Sequence, residues 1–224
     1  MALVRLAHGS PGPSARENLD LVRAWAEAAA YDGAAVLVTP ELFCAPDPTA
    51  SGGALRARFA EIARTSGIAL VASSPEHDAG ARFVALSWWD RFGNLGGHVR
   101  KHRPGPAQLA SGFSAWDGPP AAAALQGEGL EGGVICCADD VEIPEFAAFL
   151  KHSGAARALV SGSETTALLE FRNAHIPDSA YWNPMRSGVP FSQRGPLPQP
   201  LLRPLPRPYA GWFDARPPEP RDGS

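Results

Sequence analysis

Cysteine, methionine and tyrosine are scarce in this chain, with three, two and three among its 224 residues. Two of the cysteines, Cys136 and Cys137, are adjacent, and Cys44 stands apart. An odd count with two neighbours argues against a disulfide framework and fits a reducing, cytoplasmic setting. Long apolar runs are missing too, so no stretch has the length that crosses a bilayer. The opening "MALVRLAHGSPGP" lacks the apolar core and cleavage signal of a secretory leader. Neither sign of charge dominates: 20 basic and 23 acidic residues leave a formal net charge of -3. That balance gives no reason to expect nucleic acid or an anionic membrane as partner. No internal repeat at a fixed period is present.

Hydrophobic residues are plentiful at 45%, enough for a sizeable core. "VRLA" near the start reads as a strand. Residues 13–33 read as a helix, with Leu21, Val22, Trp25, Ala28 and Ala29 on one face at helical spacing. Ser14 and Glu17 have the spacing of a capping box, and Gly33 can take the left-handed conformation that ends a helix. "AAVLVTP" is wholly apolar, as a strand buried on both faces should be. A second helix is expected near "GALRARFAEIARTSG", stopped by Gly67, followed by the buried strand "IALVASS". Residues 81–102 read as two strands joined by a turn at Gly93-Asn94. "GGVICC" is a further buried strand. Pro144 suits the first turn of a helix carrying Phe146, Phe149 and Leu150, and "ARALVSG" is the next strand. Strands alternating with helices around an inserted hairpin predict an α/β layered domain over 1–165.

The composition changes after about residue 165. "SETTALLEFRNAH" is compatible with a helix. Beyond it, proline removes backbone donors and fixes φ, so 166–224 is expected to be a Pro-rich, extended or disordered tail. "RPLPRPY" has the look of a polyproline ligand, a weaker reading than an unstructured tail. A truncated or frame-shifted reading frame is one hypothesis for the change. Translating the other frames past residue 165 tests it, and finding no further strand-like segments there counts against it.

Three strand ends carry candidate chemistry, because sites in open α/β sheets are built there. "VLVTPELF" delivers Glu41, "GGHVRKHRPG" delivers Lys101, and "GVICCADDVEIPE" delivers a thiol. A carboxylate, an ammonium and a thiol together make an acyl-transfer site. The carboxylate takes the thiol proton, the sulfur attacks an amide or nitrile carbon, and the ammonium holds the charge that develops. The carboxyl then gives its proton to the leaving amine and activates water. His98 and His102 are four apart, like a zinc pair on a helix. They fall at a strand end with no evident third ligand, so no metal is expected. Cys136 and Cys44 read as packing residues.

These stretches resemble the nitrilase, or carbon–nitrogen hydrolase, superfamily over roughly residues 3 to 162. "AAVLVTPELF" is similar to the family stretch ending in Pro-Glu, whose Glu is the general base. "VRKH" is similar to its catalytic Lys stretch, and "GVICCADDVEIPE" to its Gly-rich strand, Cys-x-Asp and aromatic-Pro-Glu. "VRLAHGSPGPSARENLDLV", with Asn18, is similar to the usual opening strand and helix. The resemblance implies a nitrilase-like αββα sandwich, here incomplete at the C-terminal end, in homodimers or higher homo-oligomers. It implies hydrolysis of a non-peptide C–N bond in a small amide or nitrile through Glu41, Lys101, Cys137 and a thioester-type intermediate, with no cofactor.

Two departures bear on activity. Counted forward from Gly133, the nucleophile position falls on Cys137; counted back from Pro144-Glu145, it falls on Ala138. The second count makes the chain a catalytically inactive scaffold that binds a partner or small amide. The family's second glutamate is also missing from "KHRPGPAQLASG", where Gln108 is the nearest polar substitute.

Overall fold

The computed structural model describes residues 4–7, 10–46, 51–118, 122–125, 127, 133–140, 146, 157–162, 166–170 and 212–214. The chain opens with β1 (Val4–Ala7) and α1 (Ala15–Tyr31). Ser14 Oγ accepts the Glu17 amide at 3.2 Å, the N-terminal half of the anticipated box, and such a cap contributes about 1 kcal/mol. Asn18, buried one turn later, accepts from Gly12 N at 2.7 Å and donates to Gly12 O at 3.1 Å. The approach to α1 is thereby fixed from within the helix.

Next come β2 (Val36–Val38), α2 (Gly52–Ser66), β3 (Ala69–Asp78), β4 (Ala81–Trp89) and β5 (Leu95–Arg100). Gly67 ends α2 at φ 67°, the left-handed value glycine tolerates. Six strands form one sheet in the order β10-β1-β2-β3-β4-β5, where β10 is Trp212–Asp214. β1, β2 and β3 run parallel; β4, β5 and β10 are antiparallel to their neighbours.

A second sheet has four strands in the order β6-β7-β8-β9: Ala123–Ala124, Gly133–Cys137, Arg157–Ser161 and Thr166–Glu170. A short helix, α3 (Pro106–Ala110), sits between β5 and β6.

Two apolar layers hold these parts. Trp25, Phe43, Leu55, Phe59, Ile62 and Trp89 pack where α1 and α2 cover the first sheet. Each such side chain, fully buried, contributes roughly 1.5–3 kcal/mol. Val4, Leu6, Val36, Val38, Leu86, Trp88, Ile135, Cys137 and Leu159 form the layer between the sheets. Trp88 Nε1 donates across that layer to Ala124 O at 3.1 Å. Gly96 and Gly97 lie against its ring, where an added Cβ would fall 2.2 Å and 2.6 Å from ring atoms.

Three expectations change. β3 continues through Pro75, past the strand read at 68–74. Its neighbour β2 stops pairing at Val71, so the missing proline N–H costs no ladder bond there. The helical reading of 163–175 gives way to a strand at 166–170, because pairing with β8 outweighs local propensity. Within the stretch assigned to a tail, Trp212–Asp214 pairs with β1. The rest of that stretch and most of the helix expected after Pro144 lie outside the described residues, although Phe146 is helical and buried.

Candidate active site

Glu41 follows β2, Lys101 follows β5 and Cys137 is the last residue of β7. Hydrogen bonds between the sheets draw these strand ends together. Ser161 Oγ donates to Thr39 O at 2.8 Å, and Glu41 N donates to Gly162 O at 2.8 Å. Ala138 N donates to Ser161 O at 2.8 Å, which fixes the exit of β7 beside β8. Next to Glu41, Leu42 is held at φ 52°, with its N–H given to Ser73 Oγ. A non-glycine residue in that region carries backbone strain, and such strain clusters at functional sites.

Lys101 and Glu41 meet directly. Nζ lies 2.6 Å from Glu41 Oε2, and both side chains are closed to solvent. Gln108 Nε2 donates to the same Oε2 at 2.9 Å, while its Oε1 accepts from Gly105 N at 3.0 Å. Glu41 Oε1 is buried and has no hydrogen-bond partner among the described residues. An unpaired buried carboxylate oxygen is costly unless something is meant to meet it. Lys101 Nζ also lies 2.6 Å from Asp139 Oδ2 in the turn after β7. Burial pulls the Lys101 pKa down, but Glu41, then Cys137 and Asp139, together more than offset it and the net shift is upward. The amine therefore stays an ammonium.

Asp140, the next residue, is buried and accepts from His102 N at 3.0 Å and Arg103 N at 2.8 Å. Burial raises its pKa to about 6, against the pull of those two amides. It ties the segment after Lys101 to the turn after β7.

Cys137 is fully buried and packs in the layer between the sheets. Burial, then the carboxylates of Glu41 and Asp140, push its thiol well above the ordinary value, with Lys101 opposing. The sulfur is thus within electrostatic reach of both Glu41 and Lys101, and it is a thiol at neutral pH. Ala138, one residue on, is only half buried, in the turn that carries Asp139. Of the three expected residues, Glu41 and Lys101 are in contact, while Cys137 lies in the apolar layer at the end of β7 with Ala138 next to it in the turn.

Cys44 packs in the layer beneath α1 and α2, and burial drives its pKa to about 12. His98 spends both ring nitrogens on Ser87 Oγ and Glu76 Oε2, at 2.8 Å each. Asp139 and Gln108 are the contacts that sequence reasoning did not assign. Gln108 had been singled out only as a substitute for an absent glutamate, and nothing local predicts that Asp139 rather than Asp140 meets Lys101. No described helix is long and apolar enough to cross a membrane.

Comparison with solved structures gives an amidase from Nesterenkonia sp., 27% identical, over 77% of this chain and 67% of that one, with a TM-score of 0.63. A variant of the amidase from Nesterenkonia sp. AN1, showing Michael addition of acrylamide at the active site cysteine, is 28% identical over 77% of this chain and 69% of its own, also at 0.63. Another variant of that amidase, in complex with butyramide, is 29% identical over 77% and 67%, at 0.63. The sequence has no significant match among curated proteins. The α/β fold inferred from the sequence is thus the fold of a nitrilase-superfamily amidase. Residues 2–171 match the carbon–nitrogen hydrolase family, and the chain belongs to that family of enzymes.

Proposed function

We propose that this carbon–nitrogen hydrolase cleaves small amides, with Cys137 as nucleophile, Glu41 as general base and acid, and Lys101 as oxyanion donor. The observation that carries this reading is the Glu41 carboxylate. Lys101 and Gln108 hold Oε2 from two sides, and buried Oε1 has no partner among the described residues. A base fixed by one oxygen and open at the other is ready to receive a proton.

The raised Cys137 pKa makes such a base necessary. Glu41 takes the thiol proton as sulfur bonds to the amide carbon. The electron pair displaced onto the carbonyl oxygen is met by the Lys101 ammonium. Glu41 then returns its proton to the departing nitrogen, the C–N bond breaks, and an amine or ammonia leaves behind a thioester. Water, deprotonated by Glu41, attacks the thioester, and the acid and thiol are released. No cofactor enters any step. The butyramide complex of the related amidase and the acrylamide adduct at its active site cysteine favour short aliphatic amides over nitriles as first substrates to try.

The inactive-scaffold reading also has one observation in its favour. Cys137 faces the apolar layer while half-buried Ala138 occupies the turn next to Asp139. Butyramide hydrolysis by the unaltered chain, by Cys137→Ser and by Ala138→Cys separates the two. Activity lost in Cys137→Ser upholds the enzyme reading. Activity present only in Ala138→Cys upholds the scaffold.

A further inference from the structure

We infer that Asp139 is a positioning residue that keeps Lys101 charged and in place through the proton transfers. This deepens the proposed function and rests on it for the catalytic consequence. The Lys101 ammonium carries three N–H donors. Glu41 Oε2 and Asp139 Oδ2, each 2.6 Å away, take up two of them and leave one for a substrate oxygen. Fixing two donors fixes the direction of the third.

The charge argument is stronger. With Glu41 ionised, Lys101 has a buried counter-ion. Once Glu41 accepts the thiol proton it is neutral, and the pair no longer balances. A buried ammonium without a counter-charge is expensive and tends to surrender its proton. That loss would come when the oxyanion needs the positive charge most. Asp139 never exchanges a proton in the cycle, so it keeps Lys101 matched at every stage.

The remaining ionisable groups facing Lys101 do not fill this role. Glu41 cycles between states. Cys137 is the proton donor and then carries the acyl group. Asp140 is buried and committed to the amides of His102 and Arg103. Gln108, on α3, is uncharged. The Asp139 side chain is 41% exposed while its Oδ2 reaches the closed site.

The test follows the Lys101 side chain by NMR in the full chain, in Asp139→Asn and in Asp139→Ala, across the alkaline range in which each stays folded. Lys101 is expected to remain protonated throughout in the unaltered protein. In both variants its midpoint should move down by at least about one pH unit, as for loss of a contacting opposite charge. The alkaline limb of kcat/KM for butyramide should move down with it, and Asn should retain more kcat than Ala because it keeps an acceptor. Lys101 remaining protonated over that same range in both variants overturns the inference. A chain that hydrolyses no amide overturns the functional reading instead, and the NMR midpoints still decide the role of Asp139.

Discussion

Lys101 Nζ and Glu41 Oε2 lie 2.6 Å apart although 60 residues separate them in sequence. Neither side chain reaches solvent. A buried ion pair of this kind adds little to stability against a matched apolar pair, yet breaking it on one side leaves an uncompensated charge. Lys101→Met should therefore destabilise the chain by roughly 3–5 kcal/mol. Adding Glu41→Gln to Lys101→Met should restore most of that loss. Urea unfolding of the two single variants and the double variant measures the coupling.

Glu41→Gln alone keeps the shape of the side chain and removes the base. Amide hydrolysis should fall by roughly 10²–10⁴-fold, the usual contribution of a positioned general base. Binding of butyramide, read by calorimetry, should persist. Equal loss of binding and turnover would instead mean that the substitution has collapsed the site.

Gln108 donates to the oxygen that also accepts from Lys101 Nζ, so its neutral amide matters. Gln108→Glu places a second carboxylate against Glu41, and two touching carboxylates resist double ionisation. The acidic limb of the pH–rate profile should move to higher pH. Gln108→Ala should lower kcat without moving that limb in the same sense. A Glu variant with an unaltered profile would show that Gln108 is a spacer only.

Asp140 makes stability depend on pH in a direction opposite to the usual carboxylate. Its folded-state pKa is about 6, above the ordinary aspartate value, because burial disfavours the ion. Between those values the folded chain holds a proton that the unfolded chain has released. Stability from this group is then full below the unfolded value and is lost as pH rises through about 6. The loss should be on the order of 3 kcal/mol. Asp140→Asn should remove this slope, so the difference between parent and variant in urea unfolding, plotted against pH, isolates it. A parallel pair of curves would contradict the assignment.

Much of the first half of the fold was legible in the sequence, because its signals are local. Ser14 caps α1 and Gly67 ends α2 as their positions imply. The turn at Gly93-Asn94 forms where expected, with Gly93 at φ 83° and Asp90 accepting the Asn94 amide. What was not legible depends on distant pairing. β9 is a strand because β8 offers it a partner. β6 is two residues long and is held by β7 and by the reach of Trp88. The Glu41–Lys101 pair could be read from two strand ends, whereas the link from Lys101 to Asp139 spans two sheets. The choice between Cys137 and Ala138 turns on one residue of register at the end of β7. Alternation along a strand re-aims a side chain with each step.

The nucleophile is therefore the point to measure. The chain is exposed to acrylamide or iodoacetamide under native conditions, digested, and the peptide bearing residues 133–145 is sequenced by mass spectrometry. The account predicts an adduct on Cys137, with amide hydrolysis lost in step with labelling. Cys137 left unmodified while hydrolysis continues, or hydrolysis found only after Ala138→Cys, would contradict it.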